Sequence, residues 1–280
     1  MVRIRDLIGV ESELSQVGLA LRHFAEELSA PVVGAYQVTC SDEVEWECAE
    51  AFQEHFCDEL LPILEFERRS PFRSINLGAR YEWGAIRVAE EHFATESSQE
   101  AFKLLVAKIN AHVAVEDTRD GPVYGGVDRY GRRSTCCGAL AGLFEGSLLP
   151  AIQELRQIFQ FGGLNRLSVL ADRSRIAPEH RALLAAVVSA RLQAHRVVLD
   201  IEEYRPESPT VFLILPCVTL NRLGRDTELV VGQYGVDRTE PTPRVKYVGL
   251  GDAPASYRIG YDQGRLIVED DRWPETSEAE

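Results

Sequence analysis

The chain has 280 residues, 45% hydrophobic and 26% charged, with a formal charge of -14 and a pI near 5.0. That is enough apolar material for a sizeable core, and the acidity repels phosphate backbones and anionic headgroups, which excludes nucleic acid and membrane surfaces as expected partners. No stretch approaches the roughly 18 apolar residues of a membrane span, the opening MVRIRDLIGVESELSQ is too short in apolar residues for a signal peptide, and six cysteines scatter over positions 40, 48, 57, 136, 137 and 217, so a cytoplasmic protein with free or metal-bound thiols is expected.

The first predicted element is a helix over about Glu11 to Leu28, because Leu14, Val17, Leu21, Ala25 and Leu28 recur at steps of three and four. It dominates an N-terminal helical segment of about residues 1–30. VVGAYQVT then reads as a short buried strand with Cys40 at its carboxyl end. SDEVEWECAEAFQEHFCDELLPIL places Trp46, Ala49, Phe52, Phe56, Leu60 and Leu64 on one helical face, with acids in its first turn as the helix dipole favours. Cys40 and Asp42 therefore fall in a strand-to-helix turn, at the carboxyl edge where open α/β sheets bind ligands. Cys48 and Cys57 read as packing residues inside that helix, and His55 and His92 as solvated.

FRSINLGARYEWGAIRV reads as one or two strands or strand and loop pieces. In KLLVAKINAHVAV, Ile109, Ala111, Val113 and Val115 alternate with Lys108, Asn110, His112 and Glu116 at nearly a two-residue period. This strand projects His112 from the face opposite the apolar one. A turn-rich segment, EDTRDGPVYGG, leads on to a helix, GALAGLFEGSLLPAIQELRQIF, weakened by Gly142, Gly146 and Pro150. Cys136 and Cys137 stand at its amino end, where free N–H groups favour an anionic sulfur.

A second long helix, APEHRALLAAVVSARLQAHRVVLD, carries His180 and His195 on its polar side. The β stretches TVFLILPCVTL, TELVVGQYGV, RVKYVGL and SYRIGY follow, Cys217 being a core strand residue, and an acidic tail of about 269–280 closes the chain. With no low-complexity linker, residues 1–280 are expected to form one α/β domain with a C-terminal β-rich part.

Cys40, His112 and either Cys136 or Cys137 would make a Cys-His-Cys set. Such ligands suit Zn(II) and leave a fourth position open, the pattern of a catalytic site. No G-x-G-x-x-G, P-loop or G-x-S-x-G pattern competes with it.

The motifs CSDEVEWE (40–47), AHVAVEDTRDG (111–121) and RYGRRSTCCGALAG (129–142), with the later TVFLILPCVTLNR, resemble in order those of the limiting-CO2-inducible protein B/C family of β-type carbonic anhydrases. The resemblance runs from about residue 30 to about residue 235. It implies a β-carbonic-anhydrase-like fold, a central and largely parallel sheet flanked by helices. It also implies zinc held by Cys40, His112 and Cys137, and reversible hydration of CO2 to bicarbonate and a proton through zinc-bound hydroxide. The family's aspartate falls on Asp42. Familiar β-carbonic anhydrases place an arginine two residues later, where this chain has Val44, so the arginine partner has to come from elsewhere: Arg73 first, Arg80 second. A homodimer is expected by the same analogy. Two other readings stand beside the enzyme: a catalytically silent relative that binds CO2, bicarbonate or a partner protein, and a thiol switch closing a strained vicinal disulfide between Cys136 and Cys137.

Overall fold

A computed structural model describes residues 12–13, 32–41, 72–92, 103–125, 127–129, 132–134, 137, 140, 181–204, 206, 209–222, 227–231, 233–238, 244–248, 258–262 and 265–269. The helix expected over 43–64, that over 138–159 apart from Leu140, the rest of 14–28, the acidic tail beyond Glu269, Asp42 and Cys136 lie outside these residues.

The centre is a parallel ladder. Strand β2 (Val32–Cys40) pairs in parallel with β3 (Phe72–Asn76) on one side and β4 (Lys103–Thr118) on the other, and β4 pairs in parallel with β8 (Thr210–Asn221). Antiparallel strands complete a mixed nine-stranded sheet. Of these, β1 (Ser12–Glu13), β9 (Thr227–Val230), β10 (Gln233–Asp237) and β11 (Arg244–Val248) extend it beyond β8, and β5 (Gly121–Tyr124) folds back on β4. Two separate hairpins join β6 (Val127–Arg129) to β7 (Arg132–Ser134) and β12 (Arg258–Asp262) to β13 (Arg265–Glu269). The largely parallel α/β sheet is thus as expected.

Burial explains the strands. Every residue of β8 is buried, as a continuous apolar run covered on both faces requires. One face of the ladder packs Val38, Ile109, Phe212 and Ile214 against Ala185, Val188, Val197 and Ile201 of the long helix Arg181–Glu203. That helix is apolar and long enough to cross a bilayer, yet 78% of its most apolar stretch is buried inside the protein, the mark of a core helix. The opposite face of β4 carries Lys108, Asn110 and His112, each 0% exposed, so the two-residue alternation read from the sequence divides two kinds of buried surface.

Four expectations change. Ser12 and Glu13 pair with Val230 and Leu229 as a short strand, where a helix was expected. TELVVGQYGV splits into β9 and β10, because both pair with β8 and the break falls beside Pro216, which has no N–H to offer a continuous neighbour. FRSINLGARYEWGAIRV is one strand, a 3-10 turn over Leu77–Ala79 and then helix α1 (Ala85–His92). His195, expected on a polar face, is buried at 2% exposure in α2, the Arg181–Glu203 helix.

Candidate metal centre

Three elements bring the thiols and the imidazole together. Cys40 ends β2, His112 lies in the second half of β4, and Cys137 precedes Leu140, whose N–H bonds the Cys137 carbonyl at 3.1 Å. All three are buried, at 5%, 0% and 1% exposure. One ligand atom from each lies within 4.8 Å of the others, and the two sulfurs stand 3.9 Å apart as free thiols. Two sulfurs bound tetrahedrally to one zinc at about 2.3 Å would lie about 3.8 Å from each other, so the spacing fits a Zn(II) shell and is far too long for a disulfide.

His112 is set for ligation by its neighbour. Its Nδ1 lies 3.0 Å from Oδ1 of Asn221, at the end of β8. An amide oxygen only accepts, so Nδ1 carries the proton and the ring's lone pair is on Nε2, where a metal takes it. Two thiolates and a neutral imidazole would cancel the charge of Zn(II).

The sequence reading missed the turn that serves Cys40. Gly78 donates its N–H to Cys40 Sγ at 3.2 Å, a contact that favours the thiolate. Getting there takes left-handed backbone at Gly78 (φ 69) and at Ala79 (φ 54), the latter an uncommon conformation for a residue with a Cβ. Asn76 braces the turn, its Nδ2 donating to Ser74 Oγ at 3.0 Å and to the Arg80 carbonyl at 3.1 Å.

Asp200, 0% exposed in α2, holds the far side of this segment. It accepts from Tyr81 Oη at 2.5 Å, from the Gly84 N–H, and from Arg87 Nε at 2.7 Å, while the Arg87 guanidinium pairs with it at 2.6 Å. Burial first, and then the bond to Asp200, push the Tyr81 hydroxyl well above the ordinary tyrosine range, so it stays a donor.

Of the sequence candidates, Cys40, His112 and Cys137 come together. Arg73 lies mid-strand in β3 beside Gln37, three residues before Asn76, the register partner of Cys40. Arg80 is exposed and directly follows the Gly78 turn. Asp42 and Cys136, outside the described residues, are not placed.

The fold is similar to that of solved homologues of the limiting CO2-inducible protein LCIB. One of them, PtLCIB4, is 14% identical, with a TM-score of 0.55 over 88% of this chain and 97% of its own. Two single-residue variants of PtLCIB4 match likewise. A histidine-to-alanine form has TM-score 0.53 at 14% identity (86% and 95% covered), and a serine-to-arginine form 0.50 at 13% (88% and 96%). No protein-family model and no curated protein sequence matches the chain.

Proposed function

We propose that the chain is a zinc-dependent carbonic anhydrase of the β type, catalysing the reversible reaction of CO2 and water to bicarbonate and a proton. The observation that carries this reading is the buried Cys40-His112-Cys137 triad, whose 3.9 Å sulfur spacing suits one tetrahedral Zn(II) at the carboxyl edge of a parallel sheet. When bound, zinc supplies Lewis acidity. In carbonic anhydrases as a class it lowers the pKa of water from 15.7 to about 7.

The chain's own groups prepare that chemistry. Cys40 and Cys137 offer thiolates, the former favoured by the Gly78 N–H. Asn221 fixes the His112 tautomer. Asp42, two residues after Cys40, accepts a hydrogen bond from the attacking water and orients it, provided a cation holds the carboxylate off the metal. We assign that cation to Arg80, because its position just after the Cys40-binding turn suits it better than the mid-strand position of Arg73. A second copy of the chain would cover the exposed Ile75, Leu77, Trp83 and Val88, in line with a homodimer, and free cysteines accord with a cytoplasmic setting.

The test is zinc content together with CO2 hydration on one reduced, purified sample. Expected are about one zinc per chain and rapid hydration, both lost in His112→Ala. Zinc without hydration would favour the silent relative that Val44 suggests, and a metal-free protein would refute the centre.

A further inference from the structure

Cys40 and Cys137 are 97 residues apart in the chain, yet their reduced sulfurs meet at 3.9 Å. A bound zinc would account for that spacing. Before metal arrives, or after a chelator removes it, the same approach sets two thiols side by side. Joining them takes the sulfurs from 3.9 Å to about 2.05 Å, a distance that partial rotation of both side chains covers. The backbone on either side permits it, since Cys40 is the last residue of β2 and Cys137 lies outside any strand or helix. Burial selects the chemistry. At 5% and 1% exposure, the pair is shielded from other protein chains and from bulky thiols, whereas an oxidant of two heavy atoms can enter. The third described cysteine, Cys217, is 0% exposed in β8, where its Sγ lies 3.5 Å from the Leu215 carbonyl, and it stands outside the cluster.

We propose that the metal-free pair is a redox modification site, at which hydrogen peroxide links Cys40 to Cys137 in a disulfide that bars the metal. Cys40, the more exposed of the two, attacks a peroxide oxygen; the O–O bond breaks, Cys40 becomes a sulfenic acid and water leaves. The Cys137 sulfur then attacks the Cys40 sulfur, the S–O bond breaks, and the departing hydroxyl takes the Cys137 thiol proton as a second water. His112, whose ligand nitrogen lies within 4.8 Å of both sulfurs, is placed to carry that proton across. Two thiols are oxidised and one peroxide is reduced to two waters. A dithiol reductant reverses the step by exchange. The bond consumes two of the three metal ligands, a consequence that rests on the zinc reading of the triad, whereas the bond-forming chemistry does not.

The experiment strips the full chain of metal under reductant, desalts it without air, and adds a slight excess of hydrogen peroxide. Peptide mapping without reduction is expected to show Cys40 joined to Cys137 and a chain lighter by two hydrogens. The link should persist in Cys136→Ser and in Cys217→Ser and disappear in Cys40→Ser. The linked form should take up at least about tenfold less zinc than the reduced form and recover it after dithiothreitol. It should also unfold at a higher temperature than the reduced metal-free chain, because the bond closes a loop across 97 residues. A Cys136–Cys137 link, sulfinic acids without a link, or undiminished zinc uptake by the linked form would each overturn the proposal. Zinc uptake by neither form would overturn the zinc reading and the barring of metal built on it, while a mapped Cys40–Cys137 bond would still establish the modification site.

Discussion

At the scale of single residues, the candidate metal centre holds a histidine whose tautomer is set by an amide from another strand. Asn221 Oδ1 holds His112 Nδ1 at 3.0 Å, and outer partners of this kind typically change metal affinity by about 10–100-fold. Asn221→Ala should therefore release zinc to a chromophoric chelator at about tenfold lower chelator concentration or less, while Asn221→Asp, which keeps an acceptor, should retain it. Equal retention by Asn221→Ala would mean that the ring is oriented without this bond. The three residues that cluster were legible as candidates: Cys40 at a strand end, His112 on the polar phase of an alternating strand, and a cysteine before Gly138. Asn221 was not, because a polar residue ending an apolar strand looks like an ordinary strand terminus. Its role arises only from parallel pairing of β4 with β8, which sets Asn221 beside Ala114, two residues beyond His112.

At the scale of elements, the segment from Leu77 to His92 shows where sequence reading ran out. A helix start is normally announced by a Ser, Thr, Asp or Asn cap, whereas Gly84 (φ 85) precedes α1 and the capping carboxylate comes from Asp200 in α2, 116 residues away. The periodicity of so short a helix was equally quiet: Ile86, Ala89 and Glu90 are its buried residues, and Glu90 is tolerated because it accepts from Tyr204 Oη at 2.5 Å. Asp200 thus ties α2 to the segment whose Gly78 N–H serves Cys40. Asp200→Asn leaves Arg87 facing an uncharged group, and breaking a buried pair of this kind costs about 3–5 kcal/mol, discounted here because Arg87 is 31% exposed. A loss of about 2 kcal/mol in urea unfolding is expected, with zinc affinity in the folded protein falling by several-fold as the Gly78 contact loosens. Stability lost at unchanged zinc affinity would show that the brace and the metal centre are independent.

At the scale of the whole molecule, the central sheet is sandwiched so that α2 covers one apolar face, and a helix this deeply placed carries its polar residues inward. His195 is the clearest case, since burial first and the adjacent Arg196 second push its pKa from 6.5 down to about 4. The unfolded chain takes up this proton near pH 6.5 and the folded chain resists until about pH 4. Between those values the unfolded state binds more protons, so the stability contribution is complete above pH 6.5 and is lost progressively as pH falls toward 4. From pH 7 to pH 5 this one group accounts for about 2 kcal/mol. Replacing it by a residue that cannot titrate should remove that part of the slope while leaving other acid-sensitive groups in place. Urea unfolding of His195→Leu at the two pH values, beside the wild type under identical metal conditions, should therefore show a pH-dependent loss smaller by about 2 kcal/mol. Parallel losses in the two proteins would mean that the imidazole takes its proton in the folded state near the ordinary pH, and that the interior around α2 admits a charge there.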